Sequence, residues 1–385
     1  MNKEQQIIEE ITSKYGDKIK EMNIRFFESS KKFDVNELIK IIERQRLLIK
    51  KIIIDISKNY QELKEADFIM FNGSFSRHSN IVSSDLDLNI MYDNKLRSIL
   101  LPVELSINYI LSKILKFKGC DRIHSIMVYT PLIGDNHPKL IDNKKINYEF
   151  GENLYYCREN YQQLLFETCN SSRDYKILLN YISNSNNTCL EEWETNFELI
   201  IDYGKYNIFD RQISKIRSKK LQNTDINILV NNIDNIIRII EEFKYLDNTE
   251  IIYIKDLKKI IKTIPLTIIY KSLVIINIKE NGLIKLDKLY SDLMLKDLIT
   301  SIYFYLWILL RVEIVFENIG YDLSSHSSVE IKVETLKNVY KEIYHDDIIK
   351  NINNSVNKVF VELKKSLVKF REKLNGKYNS NNNAN

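Results

Sequence analysis

The chain of 385 residues has only nine glycines, four prolines and four cysteines. So few glycines and prolines leave little room for tight turns, and long helices are expected to dominate. Cys120, Cys157, Cys169 and Cys189 form no closely spaced pair, which argues against a zinc site and against a disulfide framework. An excess of one charge is missing too. The 56 Lys and Arg against 52 Asp and Glu leave +4, a balance that neither demands a nucleic-acid partner nor repels one, and nothing in it points to DNA. Long apolar runs are scarce. The longest, residues 301–310, is too short to span a bilayer before Arg311 interrupts it, and the N-terminus MNKEQQIIEE is charged where a secretory signal is apolar. A cytoplasmic, reduced protein with no membrane association is expected.

What is present suits a soluble globular chain. A 44% hydrophobic and 28% charged composition supplies more than one core, and the length allows two or three domains. Ile, Asn and Lys are abundant, as is common where coding DNA is AT-rich, and this carries no functional weight.

Residues 3–64 read as helices. Ile7, Ile8, Ile11 and Tyr15 form one stripe; Leu38, Ile41, Ile42, Leu48, Ile49 and Ile52 form another, with Asp34 as N-cap and Glu37 completing a capping box. The period then changes. Residues 67–72 are a short apolar run ending at Gly73, and 86–92 alternate apolar and polar. A helix over 102–117 follows, with Pro102 in its first turn, then strand candidates at 123–133 and 145–150. From 154 to 374 helical periodicity prevails, and the Asn-rich end, 376–385, is expected to be disordered. The fold class is thus α+β: an N-terminal helical segment (1–65), a small mixed-sheet core (66–151), a large all-α C-terminal domain (152–375) and a tail (376–385).

The chemistry is carried by residues 71–91, FNGSFSRHSNIVSSDLDLNIM. A strand runs into Gly73-Ser74, a polar connection follows, and a second strand opens with Asp85-Leu86-Asp87. Alternation along that strand puts Asp85 and Asp87 on one side, with Leu86 and Leu88 toward a core. Two carboxylates so close repel one another unless cations lie between them. Magnesium fits, because it takes hard oxygen ligands and leaves room for phosphates, and two such ions suit an in-line displacement. Gly73 permits close backbone approach, and Ser74 adds a hydroxyl and an amide at a helix start. Arg77 is placed to meet a phosphate and Ser84 to steady the carboxylate strand.

These residues resemble the signature of the polymerase-β-like nucleotidyltransferase superfamily: a hydrophobic strand, Gly-Ser, a polar spacer, then Asp-x-Asp in a strand. The twelve positions from Gly73 to Asp85 resemble the small nucleotidyltransferases and the uridylyltransferase of the nitrogen regulatory protein, where an Arg four residues after the first Gly and a Ser before the first Asp match Arg77 and Ser84. The later glycines of that group are replaced here by Ser76 and His78. The resemblance covers 66–92, and more loosely the chain to 150.

It implies a magnesium-dependent enzyme that moves a nucleoside monophosphate from a nucleoside triphosphate, ATP foremost, to an acceptor and releases pyrophosphate. Asp85 and Asp87 would hold metal, with Gly73, Ser74, Arg77 and Ser84 around the nucleotide. A third carboxylate, metal ligand and base, is sought on a neighbouring strand. Glu149 is preferred, Asp142 is the alternative, and a position near Tyr129 would leave the site one carboxylate short. The size of the helical domain favours a macromolecular acceptor, protein or RNA, over a small molecule. An antibiotic-modifying enzyme, a nucleotide sensor without turnover and a helical scaffold with an accidental motif are the other readings.

Ordinary explanations suffice elsewhere. His78 reads as a solvent-facing loop residue and His124 as a structural strand residue. The basic run of Arg211, Lys215, Arg217, Lys219 and Lys220 reads as a solvated helix face that would also suit triphosphate or an acidic partner. Tyr303 to Trp307 reads as core.

Overall fold

In a computed structural model the chain is described over residues 2–66, 68–81, 84, 86–91, 96–115, 126–129, 139–141, 145–147, 197–204, 223–247, 250–277, 285–321 and 329–382. It opens with two long helices, α1 (Lys3–Lys31) and α2 (Val35–Ser57). Each starts at a side-chain cap: Asn2 accepts from the Gln5 amide, and Asp34 accepts from the amides of Asn36 and Glu37. The link between them is short, so α2 folds back along α1.

Strand β1 (Phe68–Asn72) runs into a single helical turn, α3 (Gly73–Ser76); β2 (Leu86–Met91) and α4 (Arg97–Ile114) follow. Four strands form a mixed sheet in the order β3-β2-β1-β6, with β3 at Ile126–Tyr129 and β6 at Phe197–Asp202. β1 is antiparallel to both neighbours, and β2 is parallel to β3 with α4 in the connection between them. A second pair, β4 (Lys139–Ile141) and β5 (Lys145–Asn147), is hydrogen-bonded only to itself among the described residues. Ile69, Phe71, Leu86, Leu88 and Ile90 pack in one core with Ile7 and Ile11 of α1, Ile52 and Ile56 of α2 and Ile107 and Leu111 of α4.

The remainder is mostly helical: α5 (Asn223–Glu241), α6 (Ile254–Lys258), a π turn (Lys259–Thr263), α7 (Ile264–Asn277), α8 (Leu286–Leu289), α9 (Lys296–Asn318), α10 (Val333–Tyr344) and α11 (Ile348–Asn382). A short antiparallel pair, β7 (Ile251–Tyr253) with β8 (Glu330–Lys332), closes one side of it. Helix α9 is the axis of this body; Tyr303, Tyr305 and Leu310 are fully buried. By length and composition α9 would suffice to cross a membrane, since it continues straight through Arg311 where the sequence suggested an interruption. Its apolar surface is nevertheless buried against other helices. The run from Tyr303 to Trp307 is core, as expected.

The hairpin of α1 and α2 belongs to both cores. Its open end, with Ile7, Ile11, Ile52 and Ile56, packs on the sheet; the end near the link, with Met22, Phe26, Leu38, Ile41 and Ile42, packs on the helical body.

The chain is therefore α+β with helix predominant. The structure differs from the sequence reading at several points. The sheet takes β6 from the stretch expected to be wholly helical, and β7 and β8 lie there as well. Helix α4 begins at Arg97, which puts Pro102 inside the helix instead of in its first turn. Helix α11 continues to Asn382, through most of the segment expected to be disordered.

Candidate functional site

At the end of β1 the chain turns sharply. Gly73 has φ of 60°, the left-handed region open to glycine, and α3 begins there. The turn is closed by three amides: Arg77 donates to the Gly73 carbonyl (3.2 Å), Ser79 to Ser74 (2.9 Å) and His78 to Phe75 (3.5 Å). Ser76 Oγ also donates to the Gly73 carbonyl, at 2.9 Å. A methyl group at position 73 is expected to cost about 1–2 kcal/mol through the left-handed backbone. Gly73→Ala should lower the unfolding free energy by that amount in equilibrium denaturation, and an unchanged value would mean that the turn relaxes.

The sheet register places the first strand of the motif against the second. Phe71 pairs with Leu88, and one further step along the antiparallel count brings Asn72 level with Asp87. Asp87, the second residue of β2, is thus beside the Gly73 turn. Ser84 fastens the approach to β2, because its Oγ accepts from the Ile81 amide and its own amide donates to the Ile81 carbonyl, both at 2.9 Å.

The connection is buried from His78 to Ile81, and Arg77 is half-buried. Asn80 Nδ2 donates to Gln45 Oε1 of α2 at 2.6 Å. The Tyr270 hydroxyl of α7 donates to Ser79 Oγ at 2.7 Å, and the Arg77 guanidinium stacks 3.9 Å from the Tyr270 ring. The Leu286 amide donates to the Arg77 carbonyl at 3.1 Å, and the Tyr303 hydroxyl to the His78 carbonyl at 3.4 Å. Every contact in this series ties the turn to a helix.

His78 is 4% exposed, which overturns its reading as a solvent-facing residue. Its φ is also 60°, a conformation histidine tolerates better than most side chains. Nδ1 lies 2.8 Å from Asp287 Oδ1 and 3.5 Å from Glu43 Oε2, and Nε2 lies 3.5 Å from Glu198 Oε2. Neither ring nitrogen is aimed well enough at a carboxylate oxygen for a directed hydrogen bond, and the contacts become ion pairs when the ring is protonated. Arg46 joins Glu43 (2.6 Å) and Glu198, and Lys50 reaches Glu198 at 3.4 Å.

Burial on its own would lower the His78 pKa, but Asp287 and Glu198 outweigh it and the net shift is upward. Burial would raise Glu198; His78, Arg46, Lys285 and Lys50 prevail and bring it down to about 2. Asp287, raised by burial and lowered by His78, ends below its ordinary value. The Lys285 ammonium is pushed down, mainly by burial.

Asp85, Asp142 and Glu149 lie outside the described residues, as do His124, the four cysteines and the basic run from Arg211 to Lys220. The strand next to β2 on the side away from β1 is β3, where Asp87 pairs with Met127 and Asn89 with Tyr129. No residue of Ile126–Tyr129 is acidic, so β3 supplies no third carboxylate. Strand β5, just before Glu149, pairs with β4 and not with β2. Among the described residues no group of three or more His, Cys, Asp or Glu is arranged to hold a metal. The Asp-x-Asp donor set itself, hard oxygens two positions apart at a strand start, fits magnesium.

The charged cluster of Glu43, Arg46, Glu198 and Asp287 was not foreseen. One local signal existed: Arg46 stands on the largely apolar buried face of α2, where a charge needs a partner. Comparison of the chain with protein-family models and with curated proteins returns no match.

Proposed function

We propose that this protein is a metal-dependent nucleotidyltransferase that moves a nucleoside monophosphate from a nucleoside triphosphate, ATP foremost, to a protein or RNA acceptor. The observation that carries this reading is the left-handed Gly73 turn at the end of β1 with Asp87 level beside it on β2. That register sets backbone able to approach phosphate level with an acidic position, whose carboxylate would bind the cation. Asp85 and Asp87 would hold two magnesium ions, which when bound would neutralise the charge that gathers on the phosphates.

The chain's own residues do the rest. Gly73 and Ser74 receive the phosphates, Arg77 supplies positive charge at the far end of the turn, and Ser84 holds the approach to β2 in place. An acceptor hydroxyl oxygen forms a bond to the α-phosphorus as the bond to the β,γ-pyrophosphate breaks. The hydroxyl proton passes to a carboxylate, the role given to Glu149 or, failing it, Asp142.

A second reading has one observation in its favour. With Met127 opposite Asp87 on β3, the strand nearest the site offers no base, as in a protein that senses nucleotide without turning it over. Incubation of the purified protein with each α-labelled nucleoside triphosphate, magnesium and cell lysate decides between them. Label entering protein or RNA with pyrophosphate released is the expected result. Magnesium-dependent binding without pyrophosphate release would support the sensor; no binding at all would overturn both, and label in a small molecule would move the acceptor to the antibiotic class.

A further inference from the structure

The mechanism above leaves His78 without a task, yet the fold spends a left-handed residue and a buried imidazole there. Four elements converge on it: α2 with Glu43 and Arg46, β6 with Glu198, the start of α8 with Lys285 and Asp287, and α9 with Tyr303. We propose that His78 is a positioning residue whose imidazolium, shared among Asp287, Glu198 and Glu43, fastens the Gly73-Ser74 turn to the helical body. The connection to the turn is direct, because the amides of residues 77, 78 and 79 hold the carbonyls of 73, 75 and 74. A shift of His78 away from Asp287 therefore pulls on the carbonyls of the candidate phosphate turn. Four neutral contacts hold the same stretch and set the limit of its movement: Leu286 to the Arg77 carbonyl, Tyr303 to the His78 carbonyl, Tyr270 to Ser79 and Asn80 to Gln45.

The charge has a definite sign of effect. The ionisation of folded His78 lies above the ordinary histidine value of about 6.5. Its contribution is complete below that ordinary value and is lost as pH rises through the raised one. Lys285 acts in the opposite sense: with its folded value depressed, stability is gained as it loses its proton. Lys285 remains when His78 is replaced, so the difference between wild type and a His78 variant isolates the imidazole.

Amide hydrogen exchange of residues 74–81, in nucleotide-free full-length protein between about pH 6 and about pH 9, tests the idea. His78→Asn is the informative variant, since Asn tolerates a positive φ but carries no charge. Wild-type protection, corrected for intrinsic exchange, is expected to fall several-fold across the range, while His78→Asn is low throughout and flat. Equal protection in the two proteins at about pH 6, or a flat wild-type profile, would overturn the proposal.

If His78→Asn does not fold, Asp287→Asn replaces it, with the His78 ring titration followed by NMR. A lower midpoint supports the proposal and an unchanged one refutes it. Only the consequence for transfer rests on the proposed function. Loss of pH-dependent protection sinks the positioning role whatever the enzyme does, and a protein that shows the expected protection without binding ATP sinks the nucleotidyltransferase reading alone.

Discussion

Asp87→Ala is expected to lower nucleotide transfer by at least about a hundredfold, with magnesium no longer able to restore it. In the proposed site it is one of two carboxylates that would hold the cation, and its loss would leave Asp85 alone. The contribution of β2 to the core comes from Leu86, Leu88 and Ile90, which stay, and the backbone pairing of the strand does not depend on the side chain at 87. The variant should keep the wild-type circular dichroism spectrum and denaturation midpoint. Asp85→Ala should behave in the same way. Transfer measured with labelled ATP across a magnesium titration checks both. Turnover near the wild-type level with the same magnesium requirement would remove the carboxylates from the mechanism.

The largest stability effect is expected at Arg311, which lies inside the helical body and is 7% exposed. Its Nε donates to the Ser30 carbonyl at 2.7 Å and its Nη2 to Lys31 at 3.1 Å, so it closes the last turn of α1 from a distant helix. Nη1 donates to the Tyr340 hydroxyl at 3.4 Å, and the guanidinium stacks 3.8 Å from Trp307 and 4.4 Å from Tyr344. Arg311→Met keeps length and apolar stem but leaves two carbonyls at the end of α1 without their donor. At about 1–3 kcal/mol for each unsatisfied group, with lost cation–π contact added, a destabilisation of about 3–5 kcal/mol follows. Arg311→Lys should fall between the two, because a single ammonium cannot serve both carbonyls and the stacking plane. Equilibrium denaturation measures this, and a loss under about 1 kcal/mol would mean that water replaces the guanidinium.

Which parts were legible in the sequence depends on how local their causes are. α1, α2 and α9 were readable because an apolar stripe at helical spacing is written within each segment, and Asp34 announced its cap. β1 and β2 were readable from the change of period around Gly73. β6 was not: Phe197, Leu199, Ile200 and Ile201 form an apolar run too short to separate strand from helix, and its partner β1 is far upstream. β7 and β8, three residues each, are shorter than any period can show. The site divides in the same way. The Gly73 turn and the position of Asp87 follow from neighbouring residues. The burial of His78 depends on Glu43, Glu198 and Asp287, which only the tertiary fold assembles.

The two-core hairpin also bears on the order of events during synthesis. α1 and α2 leave the ribosome well before α9, yet the Ser29 and Ser30 carbonyls must wait for Trp307 and Arg311 before they are answered. Until then the link end of the hairpin, with Met22, Phe26 and Ile41, is an apolar surface without its cover. A nascent chain of this design is exposed to chaperones and to self-association until α9 has been made, since closure requires contacts between residues as far apart as Ser30 and Arg311. A fragment cut between sheet and helical body inherits the same defect permanently: whichever half keeps the hairpin bares one of its ends to water, and the other half is left with an open groove.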